Sequence, residues 1–208
     1  SETTGYRWAQ YNIAYLQGDL ANMDEAGEVL DRRNPNDSVI RLFVGIGAWH
    51  RKRRSDLDER IQAAQETGHV DPLIGQRAGN VAHLALAARL MDRPADAVLA
   101  GEMARSILAT QKLTPVDETS ARIAAGLAAV AANSAPDAKE HYQRLKHLRG
   151  TGIGWLIPIC ADRLLGLLAH TGGMPEEAAH FDAALAFTGR AGYRLEAAWT
   201  HHDYSESL

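Results

Sequence analysis

Residues 92–137 read DRPADAVLAGEMARSILATQKLTPVDETSARIAAGLAAVAANSAPD, and within them prolines 94, 115 and 136 each open an alanine-rich run. A proline is tolerated in the first turn of a helix, where its missing N–H would be unbonded anyway, so each marks a helix start. Outward from this stretch Pro72 and Pro158 continue the beat, giving intervals of 21 or 22 residues. Two such helices make a unit of roughly 43 residues, within the span of helical repeats. The pattern predicts an all-α chain built as a stack of helical hairpins, an architecture whose curved face serves binding.

The chain has 208 residues and is 46% hydrophobic, enough for a sizeable core and too apolar for disorder. Its 22 basic and 26 acidic residues are interspersed and leave a formal charge of −4, so there is no chain-wide footprint for nucleic acid or an anionic membrane. Cys160 is the single cysteine and cannot form an intrachain disulfide. Neither a signal-peptide pattern nor an apolar run of about 18 residues occurs, so the expected setting is reducing and cytoplasmic. The chain opens on serine, and its last helical pattern runs into Leu208 without a stop signal, which reads as a fragment of a longer protein.

The first helix is expected over about 6–17, with Trp8, Tyr11 and Tyr15 on one face and Gly18-Asp19 as the turn. Its partner, about 20–33, sets Met23, Ala26, Val29 and Leu30 inward. Residues 39–46 fit two periods. Ile40, Leu42, Val44 and Ile46 alternate like a strand, while Val39, Leu42, Phe43 and Ile46 fit a helical face. With no second strand to pair, helix is the expectation, although Gly45 and Gly47 weaken it. Asp71-Pro72, Arg93-Pro94, Thr114-Pro115 and Pro136-Asp137 then open successive helices up to Arg149-Gly150. After a glycine-broken loop, Gly150 to Trp155, a helix at 157–171 places Ala161, Leu164, Leu165 and Leu168 on its apolar side. Gly172-Gly173 turns the chain, Pro175-Glu176-Glu177 opens the next helix, and the last begins near Tyr193.

The stretch from Arg163 to Trp199, RLLGLLAHTGGMPEEAAHFDAALAFTGRAGYRLEAAW, resembles the tetratricopeptide-like C-terminal region of multidomain bacterial regulators. In these a class III nucleotide cyclase domain or a LuxR-type DNA-binding domain precedes an ATP-binding domain and a helical array. The matching elements are Leu164-Leu165-Gly166-Leu167-Leu168-Ala169, Glu177-Ala178-Ala179-His180-Phe181, and Arg190-Ala191-Gly192-Tyr193 followed by Glu196, Ala198 and Trp199. Trp8, Tyr11, Asn12 and Tyr15 keep the spacing of a tetratricopeptide first helix, with Tyr and Asn in place of Leu and Gly. The resemblance implies a tetratricopeptide-like α-α superhelix of about five degenerate hairpins, at 6–33, 37–67, 71–111, 114–149 and 156–191, plus a final helix at 193–208. It also implies a regulatory role, since nothing in the chain resembles a cyclase core, a phosphate-binding P-loop or a helix-turn-helix.

The candidate sites each have a bland counterpart. Arg51-Lys52-Arg53-Arg54 either contacts an acidic partner or simply opposes the negative end of a helix dipole, with Asp56, Asp58 and Glu59 near enough to neutralise it. The Gly150–Trp155 loop lacks the Lys-Ser/Thr of a P-loop and follows no strand, so it reads as a connector or hinge. Trp155 is either a packing anchor or an exposed recognition aromatic. His201, His202 and Asp203 point about 100° apart on a helix, and His170 and His180 belong to the preceding hairpin, so no metal is expected. No Gly-x-Ser-x-Gly elbow or His-Glu-x-x-His occurs, and Cys160 in an apolar helix would have a raised pKa, so no catalytic residue is expected either.

These readings converge on a non-catalytic sensor or protein-interaction module, cofactor-free, that docks a protein, a peptide or a neighbouring domain on its concave face. A free-standing adaptor and a small-ligand-binding domain are the alternatives. The candidate groove or rim residues are Arg7, Gln10, Asn12, Asn80, His83 and Arg122, together with Trp155.

Overall fold

The computed structural model describes residues 4–33, 74–152 and 157–208. The expected hairpin at 37–67, the Arg51–Arg54 run and Trp155 lie outside the described residues. Within them the chain is helical: α1 (Thr4–Gln17), α2 (Leu20–Arg33), α3 (Ile74–Leu90), α4 (Pro94–Thr110), α5 (Pro115–Ala131), α6 (Ala135–Leu145), a 3₁₀ turn (Lys146–Leu148), α7 (Ala161–Gly172), α8 (Glu177–Ala191) and α9 (Arg194–Ser207). No strand occurs among the described residues, and none of their helices is long and apolar enough to cross a membrane.

One turn recurs inside the hairpins. Gly18, Asp92, Asn133, Gly173 and Gly192 all take positive φ, from 50° to 70°. The amide that follows each reaches back to a carbonyl five residues earlier: Asp19 to Ala14, Arg93 to Ala88, Ser134 to Ala129, Met174 to Ala169 and Tyr193 to Thr188. This is the Schellman C-cap, in which one left-handed residue satisfies orphan carbonyls and turns the chain out of the helix. The next helix then starts within a few residues. The α4–α5 connection uses extended backbone instead, with Gln111 at the C-cap and Thr114 at the N-cap, its hydroxyl accepting from Asp117 N at 3.2 Å.

The packing alternates. The helices α3, α5, α7 and α9 touch in succession, while α4, α6 and α8 each bridge two of them. Within this pattern α5 meets α3, α4, α6 and α7, and small side chains dominate its buried face: Ala121, Ala124, Ala125, Ala128 and Ala129, with Ser120 and Gly126. Small side chains let one helix serve four neighbours at short distance. At the α4–α5 crossing a methyl added to Gly101 would overlap the methyl of Ala128, so glycine is required there. Gly166 of α7 makes room for the Phe181 ring of α8, which in turn stacks on Tyr204 of α9 with centroids 5.0 Å apart.

The first hairpin does not simply extend this array. Helix α1 packs on α2 and on α9. Its Trp8 ring meets His83 of α3 edge-on at 5.9 Å, and Arg194 of α9 donates to the Gln17 carbonyl at 3.1 Å across 177 residues of sequence. The first and last described helices therefore touch, where an end-to-end stack would hold them apart.

The expected helix at 157–171 begins later, at Ala161. The Cys160 amide is taken by a Glu196 carboxylate oxygen at 2.7 Å, and the Ala161 amide donates to the Thr151 carbonyl at 3.3 Å. The Cys160 amide is thus spent on a tertiary bond, and Cys160 is the helix N-cap and not an interior position.

Candidate functional site

Two residues in the first turn of α7 organise the interior. Arg163 is 1% exposed. Its Nε donates to Asp203 Oδ2 at 2.7 Å and its Nη1 to Glu196 Oε2 at 2.9 Å, both on α9. The second Asp203 oxygen accepts from Arg89 Nη2 of α3 at 2.7 Å, so one carboxylate holds three helices together. The Trp199 ring lies 5.7 Å from the Arg163 guanidinium carbon, within cation–π range. Two arginines thus face two carboxylates, which balances the buried charge. Unpaired burial would cost several kcal/mol per ion, so the four are interdependent.

Its neighbour Asp162 points elsewhere. One oxygen accepts from the Gly150 amide at 2.7 Å, and the other lies 3.0 Å from His180 Nδ1 of α8. His180 Nε2 is 3.0 Å from the Tyr142 hydroxyl of α6. All three side chains are buried. The carboxylate only accepts, so Nδ1 carries a proton, and in the neutral ring Nε2 is then the acceptor to which Tyr142 donates.

The electrostatics follow from burial and pairing. Burial works against the Arg163 charge, but Glu196 and Asp203 more than offset it and hold its pKa above the ordinary arginine value. Burial lifts Glu196 above the usual carboxylate range, with Arg163 and the Cys160 amide pulling the other way. Burial would also raise Asp162, yet the bonds from His180 and Gly150 outweigh it and hold this carboxyl below its ordinary value. The phenols of Tyr15 and Tyr142 are both raised, chiefly by burial. Burial pushes the Cys160 thiol up to about 11, the direction its apolar surroundings predict. With both pKa values raised, neither Tyr142 nor Cys160 is an activated nucleophile.

Above Tyr142 and His180 opens a recess of about 470 Å³ between α6 and α8, lined also by Gln143, Lys146, His147, Arg149, Glu176 and Ala179. A second recess, about 240 Å³, lies between α1 and α2 and is lined by Arg7, Gln10, Ile13, Gln17, Asn22 and Glu25 among others. A third, about 340 Å³, lies where the ends of α3, α5 and α7 meet α9, and mixes Arg89 and Arg93 with Asp92, Asp203 and Glu206.

The structure does not gather the sequence candidates on one surface. Arg7 and Gln10 border the α1–α2 recess, Arg7 bonded to Gln10 at 3.2 Å and paired with Glu25 at 3.4 Å. Arg122 pairs with Glu118 at 2.8 Å and Glu140 at 3.8 Å, on the α5–α6 side. Asn12, Asn80 and His83, expected at a groove or its rim, are buried instead, and the Trp8–His83 contact shows α1 covering that part of α3. Both polar atoms of the Asn12 amide are buried without a hydrogen-bond partner.

His202, Asp203 and Glu206 bring ligand atoms within 4.8 Å of one another. Both Asp203 oxygens already accept from arginines and Glu206 lies 3.6 Å from Arg89, so guanidinium charge occupies the place a metal would need. Asp162, Arg163 and Asp203 were not singled out as a polar core by sequence reasoning; Asp203 entered only beside two histidines, Glu196 only as a mark of the repeat, and His180 as a mark of the repeat and a weighed metal ligand. No protein-family model matches the chain, and neither a curated protein nor a solved structure matches it.

Proposed function

We propose that the chain is a non-catalytic protein-interaction module, tetratricopeptide-like in its superhelical arrangement, that serves a bacterial signalling or transcription regulator from the cytoplasm. The observation that carries this reading is the alternating two-layer packing of hairpins, the architecture that offers long helix faces to partners. With α1 lying against α3 and α9, the accessible face moves to the outer side of the first hairpin. Tyr6 and Ile13 stand 52% and 48% exposed, seven residues apart on α1, and Leu20 opens α2 at 48%. Arg7 and Gln10 sit between them.

The occupant we assign is an amphipathic helical segment, from a partner protein or a neighbouring domain of the same polypeptide. Residues seven apart on one helix face meet such a segment in register. Docking would bias the output of attached domains if the partner binds one of two arrangements more tightly. A photo-crosslinker at position 13, compared with one at exposed Glu102 on α4, tests it. The expected result is a discrete product at position 13 that disappears in a Tyr6→Glu variant. Equal labelling at both positions, or labelling insensitive to Tyr6→Glu, would sink the assignment.

A further inference from the structure

We infer that the recess between α6 and α8 binds a small hydroxylated organic anion, a phosphate monoester or a hydroxy carboxylate. Tyr142 on α6, Lys146 in the 3₁₀ turn and Arg149 at its C-cap all line this recess, opposite Ala179 and His180 in the first turn of α8. Among the described residues Lys146 and Arg149 form no ion pair, whereas Arg7, Arg89, Arg93, Arg122 and Arg163 hold carboxylates. The two cations stand over a wall that is held rigid from behind. Tyr142 is fixed by His180, His180 by Asp162, and Asp162 by the Gly150 amide.

This chain of bonds also sets the polarity of the recess. With the His180 ring neutral, the Tyr142 proton goes to Nε2, so the phenol oxygen presents lone pairs and asks for a donor. Lys146 and Arg149 present only donors and ask for an anion. Glu176, the one acid in the lining, adds a second acceptor and disfavours a second anionic group. A ligand with an anionic head and a hydroxylated body satisfies both ends, and 470 Å³ lies within the size range of small-molecule sites. The site shares no residue with the α1–α2 face, so it stands or falls independently of the docking reading.

The mixed-charge recess bounded by α9 lacks this logic, because its arginines already pair with the acids beside them.

Ribose 5-phosphate, glycerate, inorganic phosphate and ribose are the probes, titrated into the whole chain while the histidine ring signals are followed by NMR. The expected result is a saturable shift at His180 and His147 with ribose 5-phosphate or glycerate, and none at His83, which lies against Trp8. Lys146 and Arg149 are exposed, so Lys146→Ala/Arg149→Ala keeps the fold and should weaken that anion about tenfold or more, as loss of charge-assisted bonds does. Tyr142→Phe should weaken ribose 5-phosphate while leaving inorganic phosphate unchanged. No saturable shift with either organic anion overturns the inference. So does binding that the double alanine variant leaves intact, or ribose binding as well as its phosphate.

Discussion

Arg163 shows what a single buried charge does in a helical stack. Its guanidinium is surrounded by Glu196, Asp203 and the Trp199 ring, and none of its charge reaches solvent. Arg163→Met should therefore cost about 3–5 kcal/mol in urea denaturation, because it strands the buried Glu196 carboxylate and leaves Asp203 with Arg89 alone. Adding Glu196→Leu and Asp203→Leu should recover part of that loss, since an apolar cluster needs no counter-charge and Arg89, partly exposed, can turn to water. Asp162 gives the pH counterpart. Its folded pKa lies below the ordinary value of 3.8, so the stability it contributes is complete above that value and disappears as the pH falls through the folded one. Asp162→Asn should thus be least stable relative to the parent chain near neutral pH, with the gap narrowing toward pH 3 in thermal unfolding monitored by circular dichroism.

At the scale of the element, the sequence carries the helix starts better than the contacts between them. Pro94 and Pro115 are first residues of α4 and α5, and Pro136 is the second of α6. Pro158 fails as a marker: the helix starts only at Ala161, with the amide of its N-cap Cys160 bonded to Glu196. Asp92 and Asn133, residue types that tolerate left-handed backbone, do the work of glycine at their turns. The polar cluster was not legible. Periodicity assigns charged residues to solvent, and Arg89, Asp162, Arg163, His180, Glu196 and Asp203 come together only when α3, α7, α8 and α9 are packed.

Glycine roles show the same limit, since the letter alone does not separate a crossing point from a dispensable position. Gly101→Ala should destabilise the fold by about 1–3 kcal/mol, because the methyl collides with Ala128. Gly189→Ala, exposed in α8 with nothing near its added methyl, should stabilise by about 0.5–1 kcal/mol. Chemical denaturation of the two variants side by side checks both signs, and a destabilised Gly189→Ala would mean that helix propensity is not what this position reports.

For the whole molecule, the decisive contact is the one between α1 and α9. An open array of repeats is quasi-one-dimensional, so damage at one end fades over neighbouring units and leaves the far end protected. Here Asp203 of α9 holds Arg163 of α7 and Arg89 of α3, and α9 also carries α1 through Arg194 and its packed face. A lesion in the last helix should therefore be felt in the first. Asp203→Ala is expected to lower amide hydrogen-exchange protection in α1 and α3 as well as in α7 and α9, while α4, which has no contact with α9 stronger than marginal, keeps most of its protection. If protection fell only in α7 to α9 and α1 stayed unchanged, the closure would be energetically idle and the chain would behave as an open stack. If α1 loses protection together with α9, the two ends form one cooperative unit, and a partner that grips Tyr6 and Ile13 on α1 acts directly on the helix that organises the polar core.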